Sequence, residues 1–158
     1  MITCHGNIKV PSSITNHADT IKLENYKTNT PAKFQKHFTA QVQDTMFEIE
    51  LAEAMGIDHN QLDYVYFSVC KGAEPHTDQL DPLKFSDTTY VIPVILPEGD
   101  SVIHARDESE TVVLGGIYSF DHTETHSMTL EDMESGCVVI MATERIDIIG
   151  ESAEYKGS

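Results

Sequence analysis

The chain has 158 residues with 40% apolar content, enough to bury roughly two thirds of its surface around one core. Asp and Glu outnumber Lys and Arg by 26 to 10, and a formal charge of −16 repels phosphate backbones and anionic headgroups, which disfavours a nucleic-acid or membrane-surface role. Three cysteines, Cys4, Cys70 and Cys137, form no C-x-x-C pair and leave an odd thiol whatever pairs, which disfavours a disulfide scaffold and suits a reducing compartment.

The start, MITCHGNIKVPSS, lacks the basic and apolar regions of a signal peptide, and no run of about 18 apolar residues occurs, so a cytoplasmic protein is expected. Charge is uneven. Residues 1–43 carry five Lys against Asp19 and Glu24, while residues 44–158 hold the other 24 acidic groups, so an anionic partner would look to the N-terminal segment. Acidity alone also fits a well-solvated surface.

Residues 1–29 are weakly patterned: Ile8-Lys9-Val10 reads as an edge strand, Pro11-Ser12-Ser13 as a turn, and His17-Ala18-Asp19 as a polar loop or helix start. Thr30 can cap a helix with Pro31 at its first position. Phe34, Phe38, Val42, Met46, Ile49 and Ala52 then recur at three- and four-residue steps until Gly56, predicting one long core-facing amphipathic helix, or two. Thr45 and Glu48 have capping-box spacing, which places the alternative break near Gln43. After Gly56 the pattern changes to short β-rich runs: Tyr64–Cys70, Thr88–Leu96, Ser101–Ala105, Thr111–Leu114, Ile117–Phe120, His126–Leu130 and Cys137–Ala142. Turn residues such as Pro97-Glu98-Gly99-Asp100 and Gly115-Gly116 separate them. Many short strands without intervening helices predict a mainly β sandwich or small barrel braced by the preceding helix. One domain over 1–158 is expected, with 1–59 as largely helical support, 60–143 as the β core and 144–158 as a tail.

The chemistry concentrates in Glu74-Pro75-His76-Thr77-Asp78 and in His126, fifty residues beyond His76. In extended backbone, positions 76 and 78 project to one side. Converging with His126, they make a two-histidine, one-carboxylate face that suits Fe(II) and leaves other positions open. His-x-Asp alone is a weak signal, because His17-Ala18-Asp19 also has it; only the second copy follows a strand-like run. His122 competes with His126 as the distal group. His126 is favoured because it begins the next apolar stretch, with Asp121 and Glu124 as acceptors for its ring N–H. His104 reads as a structural histidine, Cys70 and Cys137 as buried inert thiols, and Asp107-Glu108-Ser109-Glu110 as a solvated turn rather than a calcium loop. No nucleophile-elbow motif or phosphate-cradling glycine loop occurs.

The segment YVYFSVCKGAEPHTD, Tyr64 to Asp78, resembles the strand leading into the iron site of 2-oxoglutarate-dependent oxygenases, especially their prolyl-hydroxylase-like branch. Thr89–Leu96 resembles that family's next core strand. Leu114-Gly115-Gly116-Ile117-Tyr118-Ser119-Phe120, followed by His126-Ser127-Met128, resembles the segment carrying its distal ligand, with the aromatic-to-histidine interval favouring His126. The resemblance covers residues 60–143. It implies a double-stranded β-helix (jelly-roll, cupin-like) core, Fe(II) held by His76, Asp78 and His126, and 2-oxoglutarate as co-substrate. The implied activity is hydroxylation of an unactivated C–H bond, prolyl or otherwise, in a protein or small molecule, with release of succinate and CO2. The chain departs from the family where an Arg or Lys is expected about ten residues beyond the distal histidine, because Met133–Val138 contains no cation. Arg106, Arg145 and Lys84 are the replacement candidates for the remote carboxylate, and Tyr66 and Tyr90 candidate hydroxyl contacts or ordinary strand aromatics. An unmatched carboxylate forgoes a charge-assisted bond of about 1.5–3 kcal/mol. A cupin-like metalloprotein that does not use 2-oxoglutarate, and a non-catalytic acidic interaction or inhibitor module, are the other readings. The primary substrate and oligomeric state are not legible in the sequence.

Overall fold

The computed structural model describes residues 1–28 and 38–147. In chain order the elements are β1 (Thr3–Asn7), α1 (Ser12–Thr28), β2 (Phe38–Gln41), α2 (Thr45–Met55), a 3-10 turn (His59–Gln61), β3 (Leu62–Cys70), β4 (Ala73–His76), β5 (Phe85–Ile95), β6 (Ser101–Ala105), β7 (Glu108–Thr111), β8 (Gly116–Asp121), β9 (His126–Leu130) and β10 (Cys137–Arg145). Six strands form one sheet in the order β1-β8-β5-β10-β3-β2, and four form a second in the order β4-β9-β6-β7. The pairings are antiparallel, and the two sheets are the walls of a jelly-roll, or double-stranded β-helix.

Alternation along the central strands builds two cores. On β5 and β10, Tyr90, Ile92, Val94, Val138 and Ile140 face the helices, where they meet Ile14, Ala18 and Ile21 of α1 and Phe47, Leu51 and Met55 of α2. The intervening Val91, Cys137 and Val139 face the smaller sheet and pack with Ile103, Phe120, Met128 and Leu130. Both faces of the larger sheet are therefore covered at its centre, which explains the nearly unbroken apolar run Tyr90–Ile95. Pro93 lies inside that run and cannot donate to the ladder; the β5–β10 register shifts beside it, between Val138 and Val139.

The N-terminal third departs most from the sequence expectation. The first strand is Thr3–Asn7 rather than Ile8–Val10, and Pro11-Ser12-Ser13 opens α1 instead of turning the chain. His17 and Asp19 lie within that helix. Phe38–Gln41 is an edge strand, not helix: pairing with Val69 to Tyr66 of β3 satisfies its backbone, and tertiary context overrides an ambiguous period. Thr30, Pro31 and Phe34 lie outside the described residues. The break near Gln43 is present, but Asp44 caps α2, its carboxylate accepting from the Phe47 N–H at 3.0 Å. Starting afresh there shifts the helix phase, so Met46 is 70% exposed while Phe47 and Leu51 are buried. Gly56, with φ 77°, ends the helix as expected. The predicted strand Thr111–Leu114 is displaced to Glu108–Thr111; the acidic run is a solvated edge strand, and the hairpin turns at Arg106, φ 55°. Among the described residues no helix is long and apolar enough to cross a membrane.

Candidate metal centre

β4 and β9 are neighbours in the smaller sheet, and their register sets His76 directly opposite His126. Asp78 follows just beyond the end of β4, where its backbone N–H donates to the His122 carbonyl at 2.9 Å. Its carboxylate lies between the imidazoles, with Oδ1 3.5 Å from His76 Nε2 and Oδ2 3.3 Å from His126 Nε2. One nitrogen from each histidine and one carboxylate oxygen lie within 4.8 Å of one another.

Both rings are held from behind. His76 Nδ1 is 2.6 Å from the Glu74 carbonyl and His126 Nδ1 is 2.8 Å from the Glu124 carbonyl. A carbonyl only accepts, so Nδ1 carries the proton and each Nε2 faces Asp78. The His76 and His126 ring centres are 4.3 Å apart, and Phe120 backs His126 at 4.6 Å. Burial alone lowers the His126 pKa, but the Asp78 hydrogen bond, the Glu124 carbonyl and the Asp78 and Asp121 charges outweigh it and raise the value. Asp78 is correspondingly lowered, first by its bond to His126 and then by the neighbouring histidine charges, against the effect of burial. The cluster therefore favours a proton at His126 beside an ionised carboxylate, a position that a metal cation can take over.

His122 is buried but turned away from this group: Nε2 donates to the Ser86 carbonyl at 3.0 Å. The acceptor behind His126 is the backbone of Glu124, not its carboxylate, which is 3.3 Å from Arg106. Asp121 instead accepts from the Thr123 N–H and hydroxyl.

The three side chains open into a cavity of about 310 Å³ between the sheets. Its floor on the larger sheet comprises Tyr66 and Ser68 of β3, Val139, Met141 and Thr143 of β10, and Thr89 and Val91 of β5. Tyr66 is the one cosubstrate candidate that lines it; burial and the Asp78 charge raise its pKa, and its hydroxyl donates to Met141 Sδ at 3.7 Å. Tyr90 points to the helix side and packs against His5 at 5.4 Å. Arg106 is 67% exposed on the β6–β7 turn. Arg145 pairs with Asp63 at 3.4 Å and Asp147 at 2.8 Å and sits over the Phe85 ring. Neither arginine, nor Lys84, lines the cavity. Thr89, Met141 and Thr143 were not singled out from the sequence; two-residue alternation from Val91 and Val139 carries the signal that finds them.

The sheet order, the alternation and the placement of these side chains between the sheets define a double-stranded β-helix with a candidate metal face at one end. No family model matches the sequence, and no curated protein does. Among solved structures the chain is similar to a prolyl-4-hydroxylase from Pseudomonas putida, with a TM-score of 0.58 and 10% identity over 92% of this chain and 91% of that one. It is also similar to a Trichoplax adhaerens prolyl hydroxylase in complex with a hypoxia inducible factor oxygen degradation domain peptide fragment, with a TM-score of 0.55 and 8% identity over 91% and 83% of the chains. The fold is that of the prolyl hydroxylases, as the resemblance of residues 60–143 implied.

Proposed function

We propose that the protein is a mononuclear Fe(II)-dependent oxygenase in which His76, Asp78 and His126 hold the metal and a chelating 2-oxo acid binds beside it. The observation that carries this reading is the convergence of three donors of the right type within 4.8 Å, with both imidazoles fixed through Nδ1. Two neutral imidazoles and one carboxylate suit Fe(II) and keep one face of its coordination sphere open. Bound there, the metal would supply Lewis acidity toward the 2-oxo acid and the electrons that O2 activation requires.

The chain's own contribution is positioning and exclusion of water. The Glu74 and Glu124 carbonyls set ring orientation, and the Asp78–His122 backbone bond sets the carboxylate. Val91, Ile103, Phe120 and Met128 form an apolar wall. His76 and Asp78 are 45% and 34% exposed, so the primary substrate approaches from their side. That open rim suits a side chain of a protein, prolyl among the candidates, as well as a small molecule; the Trichoplax neighbour carries a peptide. In this reading 60–143 is the catalytic core and 1–59 its support, within one cytoplasmic domain.

2-Oxoglutarate, the co-substrate implied by the resemblance, suits the metal end of the cavity; its remote carboxylate meets no Lys or Arg among the described lining residues. The same observation favours a second reading, a cupin-like metal site that uses no 2-oxo acid. Fe(II) affinity of His76→Ala, Asp78→Ala and His126→Ala decides whether the site is a metal site at all. Loss in each variant with retained fold is expected, and undiminished affinity in all three returns the protein to the interaction-module reading.

A further inference from the structure

The cavity walls away from the metal-binding side chains are neutral on each strand that reaches them. Met141 pairs with Tyr66 on one side and Val91 on the other, and Thr143 pairs with Thr89. Val139 and Ser68 extend this surface by one more pair. The result is a continuous floor of aliphatic, thioether and hydroxyl groups. Two of the hydroxyls already have uses: Thr143 Oγ1 donates to the Asp63 carbonyl at 3.1 Å, and the Tyr66 hydroxyl donates to Met141 Sδ at 3.7 Å; those of Ser68 and Thr89 are neutral and bring no cation to the floor. Beyond Thr143 on β10 comes Arg145, whose guanidinium is 3.4 Å from Asp63 and 2.8 Å from Asp147.

Charge balance then discriminates between ligands. A divalent metal, Asp78 and one chelating carboxylate cancel. A second carboxylate leaves a net anion on a floor of neutral side chains, where an unpaired charge is strongly disfavoured.

We infer that the chelating ligand of this centre is a 2-oxo monocarboxylic acid with a short neutral tail, aliphatic or thioether, rather than 2-oxoglutarate. The inference rests on the proposed Fe(II) oxygenase reading and names the co-substrate class for that site. The carboxylate and keto oxygens bind the metal, and the tail lies over Met141, Val91 and Val139.

The test is an anaerobic titration of the Fe(II)-loaded full chain with 2-oxobutanoate, 4-methyl-2-oxopentanoate and 2-oxoglutarate. Binding is followed by the visible charge-transfer band of the chelated keto acid and, on Mn(II)-loaded protein, by calorimetry. The monoacids are expected to bind at least about tenfold more tightly than 2-oxoglutarate. Any smaller preference, or tighter binding of 2-oxoglutarate, overturns the inference and leaves the oxygenase reading standing. Metal uptake with neither band nor heat from any of the three acids overturns both.

Discussion

Asp78→Asn keeps the size of the side chain and removes the one carboxylate in the cluster. Without metal, the change replaces a pair of contacts, at 3.5 and 3.3 Å, made by a partly exposed group. Such pairs contribute about 1 kcal/mol or less, which for a chain of this size is a change in Tm of about 4 °C at most. With metal the difference is larger. Wild-type protein at a free Fe(II) concentration about a hundredfold above Kd gains about 2.7 kcal/mol, a rise in Tm of about 5 to 11 °C. Outer contacts to metal ligands alone change affinity by about 10- to 100-fold, so loss of a ligand and its charge removes most of that gain. Anaerobic scanning calorimetry with and without Fe(II) measures both quantities. A full metal-induced shift in Asp78→Asn refutes the reasoning; so does a metal-free variant that no longer folds, since that makes Asp78 a structural residue.

Other consequences separate the site from its surroundings. His126→Ala is expected to weaken Fe(II) binding more than about 100-fold. His122→Asn, which loses the bond to Ser86, costs about 1–3 kcal/mol of stability and changes Fe(II) affinity less than about tenfold, both read by denaturant titration and metal competition. Leu51→Ala removes a side chain buried between α2 and the larger sheet and is expected to lower urea stability by about 2–5 kcal/mol, with metal affinity unchanged. The raised His126 pKa contributes stability to the metal-free protein that is present below 6.5 and lost as pH rises through the folded value. The lowered Asp78 pKa contributes stability that is present above 3.8 and lost as pH falls through its folded value. The pair therefore stabilises the metal-free chain between those two folded pKa values. Fe(II), which displaces the His126 proton, binds more tightly as pH rises through the upper one; a competition assay showing flat affinity between about pH 5 and 8 contradicts this.

What the sequence made legible follows from how local each signal was. Strands β3, β5, β6, β8, β9 and β10 announced themselves through their apolar runs, but β3 starts at Leu62, β5 at Phe85 and β10 continues to Arg145, because polar residues extend these strands beyond the runs. His76 and Asp78 were visible because two-residue spacing needs no knowledge of tertiary structure. The preference for His126 over His122 rested on which one opens an apolar strand and on the aromatic-to-histidine interval of the resemblance; in the structure His126 stands in register with His76. The failures were long-range. β2 forms because Phe38–Gln41 finds the edge of β3, and nothing within those four residues excludes helix. α1 carries its core contacts at Ile14, Ala18 and Ile21, a sparse stripe among polar residues that is easily read as loop. The cations could not be placed from spacing alone, because Arg145 is claimed by Asp63, more than eighty positions earlier in the chain, and Arg106 by Glu124.

The central claim is that His76, Asp78 and His126 bind one iron together. Anomalous diffraction at the iron edge from crystals loaded anaerobically with Fe(II) tests it most directly. The account predicts one peak bonded to both Nε2 atoms and an Asp78 carboxylate oxygen. Iron bound elsewhere, or no ordered peak at this cluster, contradicts it.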